Sequence, residues 1–207
     1  HPVWFKELKE KLEPAEEGLY KLRSTKYEET KNDFVASGFS LQSSEARFIL
    51  TSEISCIYTK KDRVRKIHII VFAPDFSAVE KINAHLGAIG NIKSDGRPIL
   101  GLDAKELAKI VLGISGDCLV VPSHVWTPWF SIFGSRSGFN SIEECFEEYS
   151  KYIYALETGL SSDPAMNWRL SSLDKIALIS NSDCHSPSRI GREANVFDLP
   201  FLSYSSI

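Results

Sequence analysis

Asp183 and His185 stand two residues apart in the run Ser180-Asn181-Ser182-Asp183-Cys184-His185-Ser186-Pro187, directly after the apolar segment Ile176-Ala177-Leu178-Ile179. That segment reads as a buried strand, so a carboxylate and an imidazole leave its end together, a common way to present metal ligands. Alone, such a pair is more often a capping aspartate beside a surface histidine. The other histidines shift the balance. His124 follows the apolar run Cys118–Val121, and Glu53 sits near the end of a stretch, Arg47–Ser55, that reads as a strand. His68 interrupts the otherwise apolar Ile67–Phe72, where an imidazole costs stability unless a partner satisfies it. A mixed Glu/His/Asp set suits Zn²⁺ or Mn²⁺, and a carboxylate such as Glu53 can bridge two ions where an imidazole cannot. Ions held this way lower the pKa of a bound water and clamp the oxygens of an in-line displacement at phosphorus.

The elements that must carry these groups follow from periodicity. Val3, Phe5, Leu8 and Leu12 recur at helical spacing, with Pro2 at the first helical position. Residues 13–45 are polar and irregular. Strands are expected near 47–58, 65–72, 118–122, 152–157 and 175–180, the first two forming a hairpin around a charged turn. Five of the seven residues from 60 to 66 are basic, which reads as a solvated tip. Ser77-x-x-Glu80, Asp103-x-x-Glu106 and Ser141-x-x-Glu144 each read as a helix start, and 163–173 as a short helix. His85 falls in the first of these helices and reads as an ordinary histidine. Strands alternating with helices predict an α/β fold with mainly parallel strands.

Composition sets the bounds. A chain of 207 residues, 43% hydrophobic and 25% charged, has the balance of one globular domain. No apolar run approaches the roughly 20 residues a membrane span needs, and no signal peptide is visible. Cys56, Cys118, Cys145 and Cys184 show no C-x-x-C spacing and read as reduced thiols of a cytoplasmic protein. A net charge of −3 gives no general argument for nucleic acid, so a DNA-binding reading must rest on local patches.

The order Glu53, His68, His124, Asp183-x-His185 resembles the polymerase-and-histidinol-phosphatase (PHP) superfamily. Longer stretches resemble its endonuclease Q branch: Thr51-Ser52-Glu53-Ile54-Ser55, Pro122 through Phe130, Ala155 through Arg169, and Ser180 through Pro187 followed by Gly191-Arg192-Glu193-Ala194-Asn195. The resemblance extends over nearly the whole chain. It implies a distorted TIM-like (β/α)7 barrel missing its first strand or strands, with residues 1–207 as one partial PHP domain. It also implies two to three divalent ions (Zn, Mn or Mg). Glu53, His68 and His124 would hold one, Glu53 would bridge to a second that Asp183 also ligates, and His185 and His1 would serve a third. Glu53 and Asp183 would be the catalytic residues. The branch's first-strand His-x-His, an aspartate near it and a cysteine-ligated zinc module have no counterpart here, so truncation at both ends is expected.

The implied substrate is DNA, nicked 5′ to deaminated bases (uracil, hypoxanthine, xanthine) or abasic sites. Such a nuclease must expose the lesion, which is least costly for a mispaired base. Residues 124–140 have suitable chemistry: Trp126, Trp129, Phe130, Phe133 and Phe139 for stacking, Arg136 for phosphate, Gly134 and Gly138 for close backbone approach. Phe130 and Phe133 are expected to pack beneath this loop, and Trp126 is the leading substrate contact. Asn167, Trp168 and Arg169 form a second expected wall. Two other readings share parts of this pattern: a small-molecule PHP phosphatase, and a catalytically impaired PHP fragment. The aromatic loop argues against the first, the missing His-x-His for the second.

Overall fold

The computed structural model describes residues 1–23, 46–94 and 96–207. Of the stretch read as irregular, 24–45 lies outside the described residues. Helix α1 (Pro2–Lys11) begins as its sequence dictates, with His1 as N-cap accepting from the Val3 N–H at 3.2 Å. None of its residues is fully buried. A short antiparallel pair follows, β1 (Leu12–Pro14) and β2 (Tyr20–Leu22), whose Leu12 and Tyr20 pack with Leu50.

Two long strands dominate the molecule. β3 (Leu50–Lys60) and β4 (Arg63–Ala73) form an antiparallel hairpin. Lys61 and Asp62 turn between them with φ of 51° and 58°, the left-handed pair a two-residue hairpin turn requires. Along β4, Arg65, Ile67, Ile69, Val71 and Ala73 are buried, while Lys66, His68, Ile70 and Phe72 are less so. Alternate residues of a strand point to opposite faces, so His68 leaves the side away from the core. The register sets Ser55 opposite His68 and Glu53 opposite Ile70, so Glu53 shares that face. Glu53 is therefore near the start of its strand, not its end as the sequence suggested.

The other elements cover the core face or extend the sheet. α2 (Phe76–Ile89) is capped by Asp75, whose Oδ1 accepts from the Ala78 N–H at 2.7 Å, so the cap is two residues before Ser77. β5 (Ile99–Leu100) pairs parallel with β3 at Ser55 and Cys56. α3 (Ala104–Ile114) is capped by Asp103, and β6 (Leu119–Pro122) pairs antiparallel with β4. α4 (Ile142–Phe146) starts at Ser141. β7 (Ala155–Glu157) pairs parallel with β8 (Ala177–Ile179), and between them the expected helix over 163–173 is only α5 (Pro164–Asn167) plus a tight turn at Ser171–Leu173. Ile82 and Leu86 of α2, Leu107 and Val111 of α3, and Phe146 pack with Ile67, Ile69 and Val71 in one core.

The fold is mixed α/β, with the main sheet in order β5-β3-β4-β6. The expectation of mainly parallel strands fails there for a local reason. A two-residue turn joins only antiparallel neighbours, and parallel pairs need a long crossover. Among the described residues the strands form sheets of two, four and two, not one closed barrel. Cys56, Cys118 and Cys145 are buried and Cys184 is exposed, all as free thiols. Among the described residues no helix is long and apolar enough to cross a membrane.

β6 covers only part of the β4 edge, from Ile69 to Phe72. Beyond it, the 124–140 loop takes over as partner. The His68 N–H donates to Phe130 O at 3.0 Å, and His68 O accepts from the Ser123 N–H at 3.0 Å. Ser137, 1% exposed, donates through Oγ to Lys66 O and accepts from the Phe130 N–H, both at 3.2 Å. Arg65 lies buried under the same loop, donating to Gly138 O with its guanidinium 4.1 Å from the Phe139 ring centroid. The basic run is thus not simply a solvated tip, since Lys60 pairs with Glu147 at 2.7 Å and Lys61 with Glu144 at 3.8 Å. Ser137→Ala strands two backbone groups and should cost about 1–3 kcal/mol. Thermal denaturation reads that loss, and amide exchange should show the Phe130 N–H opening faster.

Candidate metal centre

Three side chains from distant parts of the chain meet on the sheet face away from the core. Glu53 comes from β3, His68 from β4, and His124 from just beyond β6, where the chain turns with φ of 30°. His68 Nδ1 and His124 Nε2 are 3.1 Å apart. Glu53 Oε1 lies 3.6 Å from His68 Nδ1 and 3.5 Å from His124 Nε2. Ligands at the usual 2.0–2.1 Å from zinc in a tetrahedral site are about 3.3–3.4 Å from one another. The triangle straddles that spacing, so a carboxylate and two imidazoles stand ready to share a divalent ion.

Outer contacts fix the ring orientations. Thr127 Oγ1 donates to Trp129 O at 2.7 Å, so it accepts from His124 Nδ1 at 3.1 Å and leaves Nε2 facing the triangle. Glu157, 2% exposed at the end of β7, accepts from the His124 N–H at 2.9 Å and from Asn181 Nδ2 at 2.8 Å. Gly159 (φ 60°) lies against the same histidine, and a Cβ there would sit 2.7 Å from His124 Cβ. The His68 ring packs on Phe130 with centroids 4.6 Å apart. Arg97 Nη1 donates to Glu53 Oε2 and lies against the His68 ring, 2.7 Å from Nδ1 and 3.5 Å from Nε2.

The charge states suit cation binding. Burial would raise the Glu53 carboxyl, but the hydrogen bond with His124 and the His68, Arg97 and His124 charges outweigh it and hold it below the usual range. Burial, helped by the Arg97 and His124 charges against the pull of Glu53, pushes His68 down to about 4. His68 is therefore a neutral ligand at neutral pH. For His124, burial is overcome by the Glu53 hydrogen bond and by the Glu53 and Glu157 charges, which raise it. Burial raises the Glu157 carboxyl against its His124 and Asn181 hydrogen bonds.

A cleft of about 390 Å³ opens beside the triangle, lined by His68, Arg97, His124, Trp129 and Phe130 and also by Asp183 and His185. The last two sit on a loop braced by the motif that follows it. Asn195 pairs with both the N–H and the carbonyl of Ser180 at 2.8 and 3.0 Å, and Arg192 Nε donates to Ser182 O at 2.6 Å. His185 Nδ1 lies 3.9 Å from the Asp183 carboxylate and 3.0 Å from the Asp183 carbonyl, and both side chains are more exposed than the triangle. His1 lies elsewhere, capping α1 and lining a separate apolar cavity against Phe5, Leu50 and Ile54.

The expected substrate contacts divide in two. Trp129, Trp168, Arg136 and Arg169 are exposed. Trp126 and Asn167 instead satisfy each other, the indole N–H donating to Asn167 Oδ1 at 2.9 Å with Asn167 fully buried. Trp126 also stacks on Phe133, which packs beneath the loop. Phe130, expected beneath it too, lines the cleft. Gly138 serves the loop's own close packing, since a Cβ there would collide with Gly134 backbone. Sequence reasoning missed Arg97, Thr127 and Glu157. Glu157 alone left a trace, as a carboxylate ending an apolar run.

Comparison with known proteins adds independent findings. No family model matches the chain. An uncharacterized protein of Bacillus subtilis strain 168, YqxK, is 35% identical over 132 residues, covering 62% of this chain and 32% of its own. An uncharacterized protein of Methanocaldococcus jannaschii is 35% identical over 79 residues, covering 37% of this chain and 9% of its own. Among solved structures, the lesion-specific endonuclease PfuEndoQ from Pyrococcus furiosus superposes with a TM-score of 0.74 at 27% identity, covering 100% of this chain and 44% of that one. Endonuclease Q in complex with a 27-mer duplex carrying an abasic lesion at its active site gives 0.73 with the same identity and coverage. The chain spans about a third or less of the curated relatives' length and under half that of the solved structures. It is an endonuclease Q-like protein.

Because His68 is already neutral near pH 7, any imidazole proton a cation displaces there is the one on His124. Uptake of a divalent ion at neutral pH should therefore release at most one proton from the two rings. Affinity should rise with pH until His124 has titrated, above its ordinary 6.5. Calorimetric titration in buffers of different ionisation enthalpy counts that proton.

Proposed function

We propose that this chain carries the hydrolytic site of a metal-dependent DNA endonuclease that nicks the backbone 5′ to deaminated or abasic positions. The observation that carries the reading is the Glu53–His68–His124 triangle, opening on a cleft whose rim has an exposed tryptophan. The solved endonuclease Q complex, with an abasic duplex at its active site, supports the same substrate class for this chain. The domain is proposed to be one PHP unit over 1–207, its sheets an arc of a PHP-type barrel.

Glu53, His68 and His124 would hold one ion, and Asp183 and His185 across the cleft would extend the site to a second or third (Zn, Mn or Mg). His1 has no part in this proposal, since it lines another cavity. A bound ion would polarise a phosphoryl oxygen and lower the pKa of water. The chain's own residues do the rest. Glu53 and Asp183, the proposed catalytic carboxylates, set the charge that fixes ion number and spacing. Phe130 and Trp129 wall the cleft with aromatic surface, where stacking is worth about 1–3 kcal/mol per base. Lys66 leaves the same face of β4 as His68, with its ammonium 5.0 Å from the Trp129 ring centroid, and can follow the strand's phosphates. Arg136, Trp168 and Arg169 are exposed for further backbone and base contacts.

A small-molecule phosphatase would share the ions but has no use for exposed Trp129 and Trp168. A nicking assay with the full-length protein separates the two, using duplexes that carry uracil, hypoxanthine or an abasic site against undamaged duplex and a small phosphomonoester. Lesion-dependent nicking is expected, and turnover of the phosphomonoester alone would favour the phosphatase. Glu53→Gln should lower nicking by at least about 100-fold, the upper end of what outer-shell changes at metal sites cost, with loss of bound metal by elemental analysis. His85→Ala should change neither, because His85 is exposed and, among the described residues, bonds Lys81 O at 2.9 Å on its own helix.

A further inference from the structure

Arg97 is held in place from the backbone outward. Pro98, the next residue, restricts its backbone to extended conformations. Pro98 O accepts from the Ser55 N–H at 2.9 Å, and Ile99 pairs with Ser55 in β3. The guanidinium is thus delivered to the metal triangle by a strand edge, and its side chain is 28% exposed in the cleft wall.

Its contacts divide unequally between two ligands. Glu53 has two oxygens. Oε1 faces the two imidazoles, and Oε2 takes the guanidinium. The carboxylate can therefore serve an ion and Arg97 together. His68 holds it differently. Arg97 Nη1 lies 2.7 Å from Nδ1 and 3.5 Å from Nε2, so it sits against the ring and not along the Nδ1 lone pair, while Nδ1 faces His124 Nε2 at 3.1 Å. An ion on Nδ1 would lie within a few ångström of the guanidinium and by like charge would drive it from His68, while Glu53 Oε2 could still hold it. The displaced N–H stays tethered at the cleft wall beside Phe130 and Trp129, and guanidinium is the side chain best matched to a phosphate.

We infer that Arg97 is shared between the metal ligands and the substrate: it releases His68 when an ion binds and then donates to a phosphodiester oxygen in the cleft. This rests on the metal-dependent reading above and adds a coupling to it. Arg97 opposes ion binding in the free protein, through charge repulsion at close range, and favours DNA once the ion is in place. By linkage, DNA should in turn tighten the ion.

The test uses the full-length protein, with Co²⁺ followed by its visible absorption and a phosphorothioate-protected abasic duplex followed by anisotropy. Arg97→Ala should bind Co²⁺ on the order of five-fold more tightly, the effect of removing one like charge beside the ion. The Co²⁺-loaded variant should bind the duplex about ten-fold more weakly, with the slope of log affinity against log salt reduced by about one. Arg97→Lys, which keeps the charge but not the planar fork, should recover most of the salt slope and only part of the affinity. Equal or weaker Co²⁺ binding by Arg97→Ala, or an unchanged salt slope, overturns the inference while leaving the metal reading intact. No Co²⁺ binding by the wild-type protein overturns both.

Discussion

A β-strand has two faces, and the molecule depends on how β4 uses them. Ile67, Ile69 and Val71 go to the core and Lys66, His68 and Ile70 to the opposite side. Because the side-chain period is two, a slip of one residue would put the imidazole into the core and isoleucines into the cleft. The tight turn at Lys61 and Asp62 pins the register from one end. Ser123 and the 124–140 loop pin it from the side, through the carbonyl and the N–H of His68 respectively. The spacing of Glu53 and His68 is thus inherited from sheet geometry, and His124 is brought to them by the strand that pairs with β4.

Backbone strain gathers where that geometry meets the cleft. His124, Phe130 and Asp183 all adopt positive φ, at 30°, 60° and 43°, and all line it. A non-glycine residue held there costs on the order of 1–3 kcal/mol and persists only where its surroundings over-determine it. Around His124 they do: its N–H is held by Glu157, its ring by Thr127, and Gly159 leaves room beside it. At Asp183 the bracing comes from Arg192 and Asn195, which gives the Gly191–Asn195 motif a structural purpose.

The parts of this legible in sequence were those where a local rule decides. His68 within an apolar strand announced a partner, and the candidate residues 53, 68 and 124 do meet, although Glu53 reaches the others from near the start of its strand and not from its end. The charged turn between two apolar runs gave the hairpin. The rest depended on tertiary choices no local pattern encodes. The hairpin's antiparallel consequence for the sheet was outweighed by the alternation of strands and helices further on. Trp126 and Asn167 looked like substrate contacts because an exposed and a satisfied tryptophan have the same letter; the indole N–H found its acceptor 41 residues away. Arg97 lies in a polar stretch with no periodicity, and only the pairing of a two-residue strand brings it to the site.

The loop that walls the cleft also covers what would otherwise be an open strand edge. Without it, both backbone groups of Lys66 and the N–H of His68 would be available to pair with a strand from another chain, the usual start of sheet-to-sheet aggregation. Protection of the strand edge and the wall of the cleft are therefore tied to the same loop. Changes that loosen it to widen the cleft would uncover the edge as well, so the shape of the cleft is less free to vary than its openness suggests.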